Sequence, residues 1–151
     1  MADPHPFADL AGTWRGRGDG EYPTIDDFSY TEELVVQPVP DRPLAHWRST
    51  TRDEPTGEAR HAESGFLRTT PAGVELVVAH AFGIVEACAG SLAGGVLDLA
   101  STGLLGTASA KRVDEVERRY EVDGDTLRYT IAMAAVGEPL THHLRATLQR
   151  A

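Results

Sequence analysis

A single cysteine, Cys88, is present among 151 residues. One thiol cannot form an internal disulfide and cannot supply a zinc site built mainly of cysteines. Its neighbours Ala87 and Ala89 lie in an apolar run, so Cys88 reads as a buried core thiol rather than a nucleophile. No stretch approaches the ~20 apolar residues of a membrane span. Met1 to Leu10 carries Asp3 and Asp9 and no apolar core segment, so no secretory signal is expected, and a cytoplasmic location is the default. Basic residues are the minority, 14 against 23 acidic ones, for a formal charge of −9. That balance argues against nucleic acid or an anionic membrane surface as partner, because both attract basic patches. No serine lies in a Gly-x-Ser-x-Gly elbow, and no Gly-Lys-Ser/Thr ending marks a phosphate loop. Helix signals are scarce too: Pro6 to Leu10 allows only a short helical lead-in.

Turn signals, in contrast, are frequent. They include Gly18-Asp19-Gly20, Pro38-Val39-Pro40-Asp41, Pro71-Ala72-Gly73, Gly94-Gly95, Asp123-Gly124-Asp125 and Gly137-Glu138-Pro139. The segments between them alternate as half-buried strands do. Leu127, Tyr129, Ile131 and Met133 share one parity against Arg128 and Thr130. Val74, Leu76 and Val78 oppose Glu75 and Val77. The run Ser29 to Val36 alternates less cleanly, with Glu32 sharing the parity of Tyr30 and Leu34. About ten such strands joined by tight turns predict an all-β, up-and-down antiparallel barrel, since closure removes exposed edges. No linker or repeat interrupts them, so residues 1–151 read as one domain. A barrel of this size fills with side chains or holds one ligand.

Three groups of residues bear on chemistry. Glycine recurs at positions 16, 18 and 20, on the same parity as Gly12 and Trp14. A face stripped of side chains admits another backbone or a flat ligand; equally, it suits a sharply bent first strand with Trp14 plugging the core. The adjacent carboxylates Asp26-Asp27 and Glu32-Glu33 diverge on a strand and read as solvated faces or turn residues. The six histidines show no zinc-type spacing. His142 and His143 sit in the last strand, where neighbours face opposite sides. The apolar parity of Leu140, Leu144, Ala146 and Leu148 turns His142 inward.

The run Gly12-Thr13-Trp14-Arg15-Gly16-Arg17-Gly18-Asp19-Gly20-Glu21-Tyr22-Pro23-Thr24-Ile25 resembles the signature of the nitrobindins at every fixed position. Ser64 to Arg68, Glu75 to His80, Gly83 to Glu86 and Ala135 to Leu144 extend the resemblance, in order, along nearly the whole chain. Nitrobindins are barrels shaped like fatty-acid-binding proteins. The resemblance implies haem b, one per subunit, held at the barrel mouth by the histidine before Leu144. That residue is His143, the proximal ligand to iron, against the apolar parity. It further implies Thr24 as a haem contact, Lys111 as partner of a haem propionate, and a position near the ligand cleft for His80. The implied activity is isomerisation of peroxynitrite to nitrate, with nitric oxide binding as the related non-catalytic role and no catalytic residue beyond the haem iron. The implied assembly is a homodimer. The competing expectation is a haem-free carrier of an apolar ligand in the same barrel.

Overall fold

The computed structural model describes residues 3–151. A 3-10 turn, Ala8–Leu10, leads into ten strands: β1 (Gly12–Tyr22), β2 (Ile25–Pro38), β3 (Leu44–Asp53), β4 (Ala59–Thr70), β5 (Gly73–His80), β6 (Ile84–Ala93), β7 (Val96–Gly106), β8 (Val113–Asp123), β9 (Thr126–Ala135) and β10 (Thr141–Arg150). Each strand pairs antiparallel with its neighbour in sequence, and β1 pairs with β10 to close the barrel. The fold expected from the alternation and turn signals is the one observed. Among the described residues, no helix is long and apolar enough to cross a membrane.

Inward residues sort into layers. At the closed end, Phe7 and Leu10 of the lead-in pack with Trp14, Leu34, Leu97, Leu127 and Leu148, all essentially inaccessible. Trp14 donates its indole N–H to the Leu10 carbonyl at 2.9 Å, so the plug is both apolar and hydrogen-bonded. Burying each leucine-sized side chain contributes about 1.5–3 kcal/mol. Cys88 belongs to this core, and burial pushes its thiol pKa up, as expected of an inert thiol.

The alternate glycines seat aromatic rings. A Cβ on Gly18 would lie 2.4 Å from the Tyr30 ring, and one on Gly20 would lie 2.1 Å from the Phe28 ring. Gly16 instead allows close approach of β10, whose Thr147 carbonyl oxygen would sit 2.2 Å from such a Cβ. The bare face is therefore consumed by the protein's own rings and backbone, and no flat ligand is needed to explain it.

The connections β1–β2, β3–β4, β5–β6, β7–β8 and β9–β10 all lie at the other end. There β9 turns into β10 through Val136 and Gly137, both at positive φ (47° and 85°), with Glu138 N–H donating to the Ala135 carbonyl at 2.9 Å. These are the features of a type I′ hairpin turn, and Gly137 takes its half without strain.

Candidate functional site

A cavity of about 290 Å³ opens at this end, bounded by Phe28, Phe82, Ile131, Met133, His143 and Leu144 and floored by polar side chains. Its volume sits at the low end of the ~300–1,000 Å³ typical of small-molecule sites. Two larger hollows, of about 500 and 510 Å³, are grooves on the outer face of the barrel.

The last strand decides which histidine enters the cavity. β10 pairs Thr141 with Met133 and His142 with Ala132, but then Leu144 with Ile131. His143 is the extra residue of a β-bulge, which re-aims a side chain without disturbing the strand beyond it. So Leu144, Ala146 and Leu148 keep their inward parity, His143 joins the cavity lining, and His142 lines both outer grooves. The expectation that His142 faces inward, drawn from unbroken alternation, fails because the alternation is broken at this bulge.

The His143 ring is held on several sides. Tyr22 meets it edge-on at 5.3 Å and Phe28 at 6.2 Å between centroids. Its Nδ1 lies 2.9 Å from the Glu21 carbonyl oxygen. A carbonyl only accepts, so Nδ1 carries the proton and Nε2 keeps its lone pair. Glu21 itself sits where the β1–β2 register shifts, between Gly20 and Tyr22. Burial lowers the His143 pKa below the ordinary histidine value, which favours the neutral ring with a free lone pair.

Beneath the cavity lies a buried polar layer centred on Arg118. Its Nε donates to Glu86 Oε2 at 2.8 Å, and Nη2 donates to Glu63 Oε2 and Glu86 Oε1 at 2.8 and 2.9 Å. Nη1 donates to Glu63 Oε1 at 2.8 Å and to the Tyr120 hydroxyl at 3.0 Å. All five guanidinium donors are used. The cation holds Glu63 well below the usual carboxylate range and Glu86 down to about 2, against the upward pull of burial on both. His80 Nε2 donates to Glu86 Oε1 at 2.8 Å, and His80 Nδ1 lies 3.0 Å from His61 Nε2. Phe82, at the β5–β6 turn, covers both imidazoles, with centroids 4.8 Å from His61 and 5.4 Å from His80.

A second cluster surrounds Glu32. Ser49 Oγ donates to its Oε2 at 2.7 Å, Tyr129 donates to its Oε1, and Tyr30 bonds Tyr129 at 2.6 Å between hydroxyls. Burial, only partly offset by these donors, pushes the Glu32 pKa up to about 7. The reading of Glu32 as solvated is thus corrected: β2 turns it inward and buries it, while Glu33 pairs on the outside with Arg15. Asp26 and Asp27 are exposed, as expected.

Of the remaining expected residues, Thr24 is exposed in the β1–β2 turn, beside Ile25 of the cavity wall. Lys111 is exposed in the β7–β8 connection, next to a separate hollow with Ile84, Leu104 and Val113. Neither lines the main cavity. Alternation alone could have flagged Glu63, Glu86 and Arg118, since each shares the parity of buried neighbours: Leu67, Cys88 and Tyr120 respectively.

The chain and its barrel match a known group of proteins. Residues 3–150 match the family described as the THAP4-like, heme-binding beta-barrel domain. The chain belongs to this family. Within the heme-binding barrel family, it is 49% identical over 149 residues to a peroxynitrite isomerase of Nocardia farcinica, covering 95% of this chain and 88% of that one. It is 45% identical over 157 residues to peroxynitrite isomerase 1 of Mycolicibacterium paratuberculosis, covering 98% and 97%. The crystal structure of Rv2717c from M. tuberculosis superposes with a TM-score of 0.87 at 39% identity, covering 99% of both chains. An S-type phycobiliprotein lyase from Guillardia theta, at 12% identity and a TM-score of 0.66 over 96% and 90% of the two chains, shares the fold alone.

Proposed function

We propose that this chain is a haem-dependent peroxynitrite isomerase that also binds nitric oxide, with haem b bound one per subunit and His143 as its proximal ligand. The observation that carries the reading is the His143–Glu21 pair. A metal-binding histidine ordinarily donates its second ring N–H to a carbonyl or carboxylate, which fixes the tautomer and the ring plane. His143 has that arrangement: Nδ1 is committed to Glu21, and Nε2 makes no hydrogen bond among the described residues. The apolar rim of Phe28, Phe82, Ile131, Met133 and Leu144 suits the face of a porphyrin.

Haem held by His143 would supply a ferric centre for the isomerisation of peroxynitrite to nitrate, a change that leaves composition unaltered. The protein's part is to present one imidazole, to hold its proton on Nδ1, and to wall the site with apolar rings. Thr24 and Lys111 complete the reading as a haem contact and a propionate partner. Both stand in connections at the mouth end, where a lysine can serve as a point charge. The names of the two bacterial relatives support the substrate.

Arg118 bears on the carrier alternative. A fatty-acid carboxylate needs a free buried donor, and this guanidinium has none to give. A homodimer is part of the proposed reading. The outward apolar residues Phe66, Val77, Val85 and Leu105 support it, and sedimentation equilibrium of the full chain tests it.

The test of the main reading is an optical titration of haem-free protein with ferric haem, beside His143→Ala and His142→Ala. The expected result is a one-to-one Soret shift abolished only by His143→Ala, followed by accelerated peroxynitrite decay with the loaded protein. No saturable shift in the parent protein, or a loss confined to His142→Ala, would overturn it.

A further inference from the structure

The haem reading leaves two imidazoles and a carboxylate unused on the opposite wall. β5 is five places from β10 in the ten-strand ring, so His80 stands across the barrel from His143. There His61 Nε2, His80 Nδ1 and Glu63 Oε2 form a compact triangle. Its sides are 3.0 Å between the nitrogens, 3.6 Å from His80 to Glu63 and 3.8 Å from His61 to Glu63. Ligands of tetrahedral zinc, at about 2.0–2.2 Å from the ion, lie about 3.3–3.5 Å from one another. The triangle therefore brackets the required spacing, with every side within a few tenths of an ångström of it.

Lone-pair accounting gives the same result. Glu86 is saturated: its four acceptor positions take two bonds from Arg118, one from His80 Nε2 and one from Cys88. Glu86, which accepts two bonds from Arg118, also accepts from His80 Nε2, so the His80 ring proton sits on Nε2 and Nδ1 is the ring atom available to a metal. Glu63 takes two bonds from Arg118 and one from the Trp47 indole, which leaves one acceptor position on Oε2. His61 has no partner fixing its tautomer except His80, and its Nδ1 is buried without any hydrogen bond. Turning its proton to Nδ1 presents the Nε2 lone pair to the same point.

We propose that His61, Glu63 and His80 form a binding site for a divalent transition-metal cation of the zinc class, separate from the position held by His143. The donor set, two imidazoles and one carboxylate, is that of catalytic zinc sites that keep a fourth position open. The fourth position here faces the cavity. Glu86 supplies the outer carboxylate that orients a ligating imidazole. With both histidines neutral, Arg118, Glu63 and Glu86 sum to one negative charge. A bound divalent cation reverses that to one positive charge beside a cavity proposed to admit an anion.

The probe is Co²⁺, titrated into the haem-free full chain and followed by its visible absorption bands, with Zn²⁺ as competitor. One equivalent is expected to bind and to be displaced by Zn²⁺. His61→Ala should weaken binding by more than about tenfold with an unchanged far-UV circular dichroism spectrum. His61 hydrogen-bonds His80 and stands 3.8 Å from Glu63, which keeps its bonds from Arg118 and Trp47 when His61 is removed; His80→Ala is the second variant. His143→Ala and His142→Ala should bind Co²⁺ as the parent does. Absence of saturable binding, undiminished binding in His61→Ala, or loss confined to His143→Ala would overturn the site. The haem titration is read at a different band and a different residue, so the two readings fail separately.

Discussion

Arg118 and Glu63 meet fork to fork, with two parallel N–H···O bonds of 2.8 Å between fully buried groups. Such a pair adds little net stability over apolar residues of like volume, but removing one partner strands the other. Arg118→Met leaves Glu63 and Glu86 buried without their cation. The expected loss is about 3–5 kcal/mol, measured by urea unfolding at neutral pH. Unfolding at lower pH should show a smaller loss, because the stranded carboxylates can then protonate.

Glu32 gives stability a pH dependence of unusual sign. Its folded pKa of about 7 lies above the ordinary value of 4.5, so the folded state binds the extra proton more tightly. That contribution is fully present below 4.5 and is lost as pH rises through about 7. The shift corresponds to a loss on the order of 2–4 kcal/mol by pH 9. Glu32→Gln removes the ionisation while keeping one acceptor oxygen for Ser49 or Tyr129; its NH2 donates to the other hydroxyl, which must turn. Denaturant midpoints from pH 5 to 9 should fall in the parent and stay nearly level in the variant; parallel curves would refute the assignment.

Gly20 and Gly16 should fail in different ways. The three atoms nearest an alanine Cβ at 20 all belong to the Phe28 ring, which can swing away. Phe28 also packs against His143 and under the Arg60 guanidinium, 3.9 Å from its ring centroid. Gly20→Ala should therefore weaken haem binding more than it weakens the fold. An alanine Cβ at 16 meets the Thr147 carbonyl and the Leu148 Cα, which are backbone. Gly16→Ala should cost about 1–3 kcal/mol or more, as overpacking does. Paired haem titrations and thermal unfolding distinguish the two.

The proposed ligation uses the His143 lone pair on Nε2, with the ring proton on Nδ1 held by Glu21. In His143→Gly mixed with ferric haem, free imidazole should occupy the vacated space and restore the Soret shift that the variant alone lacks. N-methylimidazole has no N–H for the Glu21 carbonyl, so it should restore the spectrum less well at equal concentration. Equal rescue by the two would show that the Glu21 hydrogen bond has no influence on ligation.

Most of the barrel can be read from alternation. Strand β5 and the first half of β9 bury one parity and expose the other, and that contrast survives in a single sequence. The site is less legible for two reasons. Alternation presumes an unbroken ladder, and the one-residue bulge at His143 leaves no compositional trace, so parity selects His142 until a family resemblance selects His143. Polar residues at inward positions also look like noise in an apolar pattern. Glu32, Glu63, Glu86 and Arg118 belong to four different strands, and only closure of the barrel makes them partners. His61 and His80 are nineteen residues apart along the chain, yet their rings stack at 5.0 Å.

The bulge in β10 separates two properties that a regular strand would tie together. Upstream of it, the strand could lengthen or shorten by one residue and re-aim its histidine, while Leu144, Ala146 and Leu148 stayed in the core. A site built this way is modular. Deleting a single residue at 142 or 143 would restore the regular ladder and leave the remaining histidine on the outward position opposite Ala132, without repacking the barrel. Insertion and deletion, rather than substitution, then become a short evolutionary route between haem-carrying and haem-free barrels of the same shape.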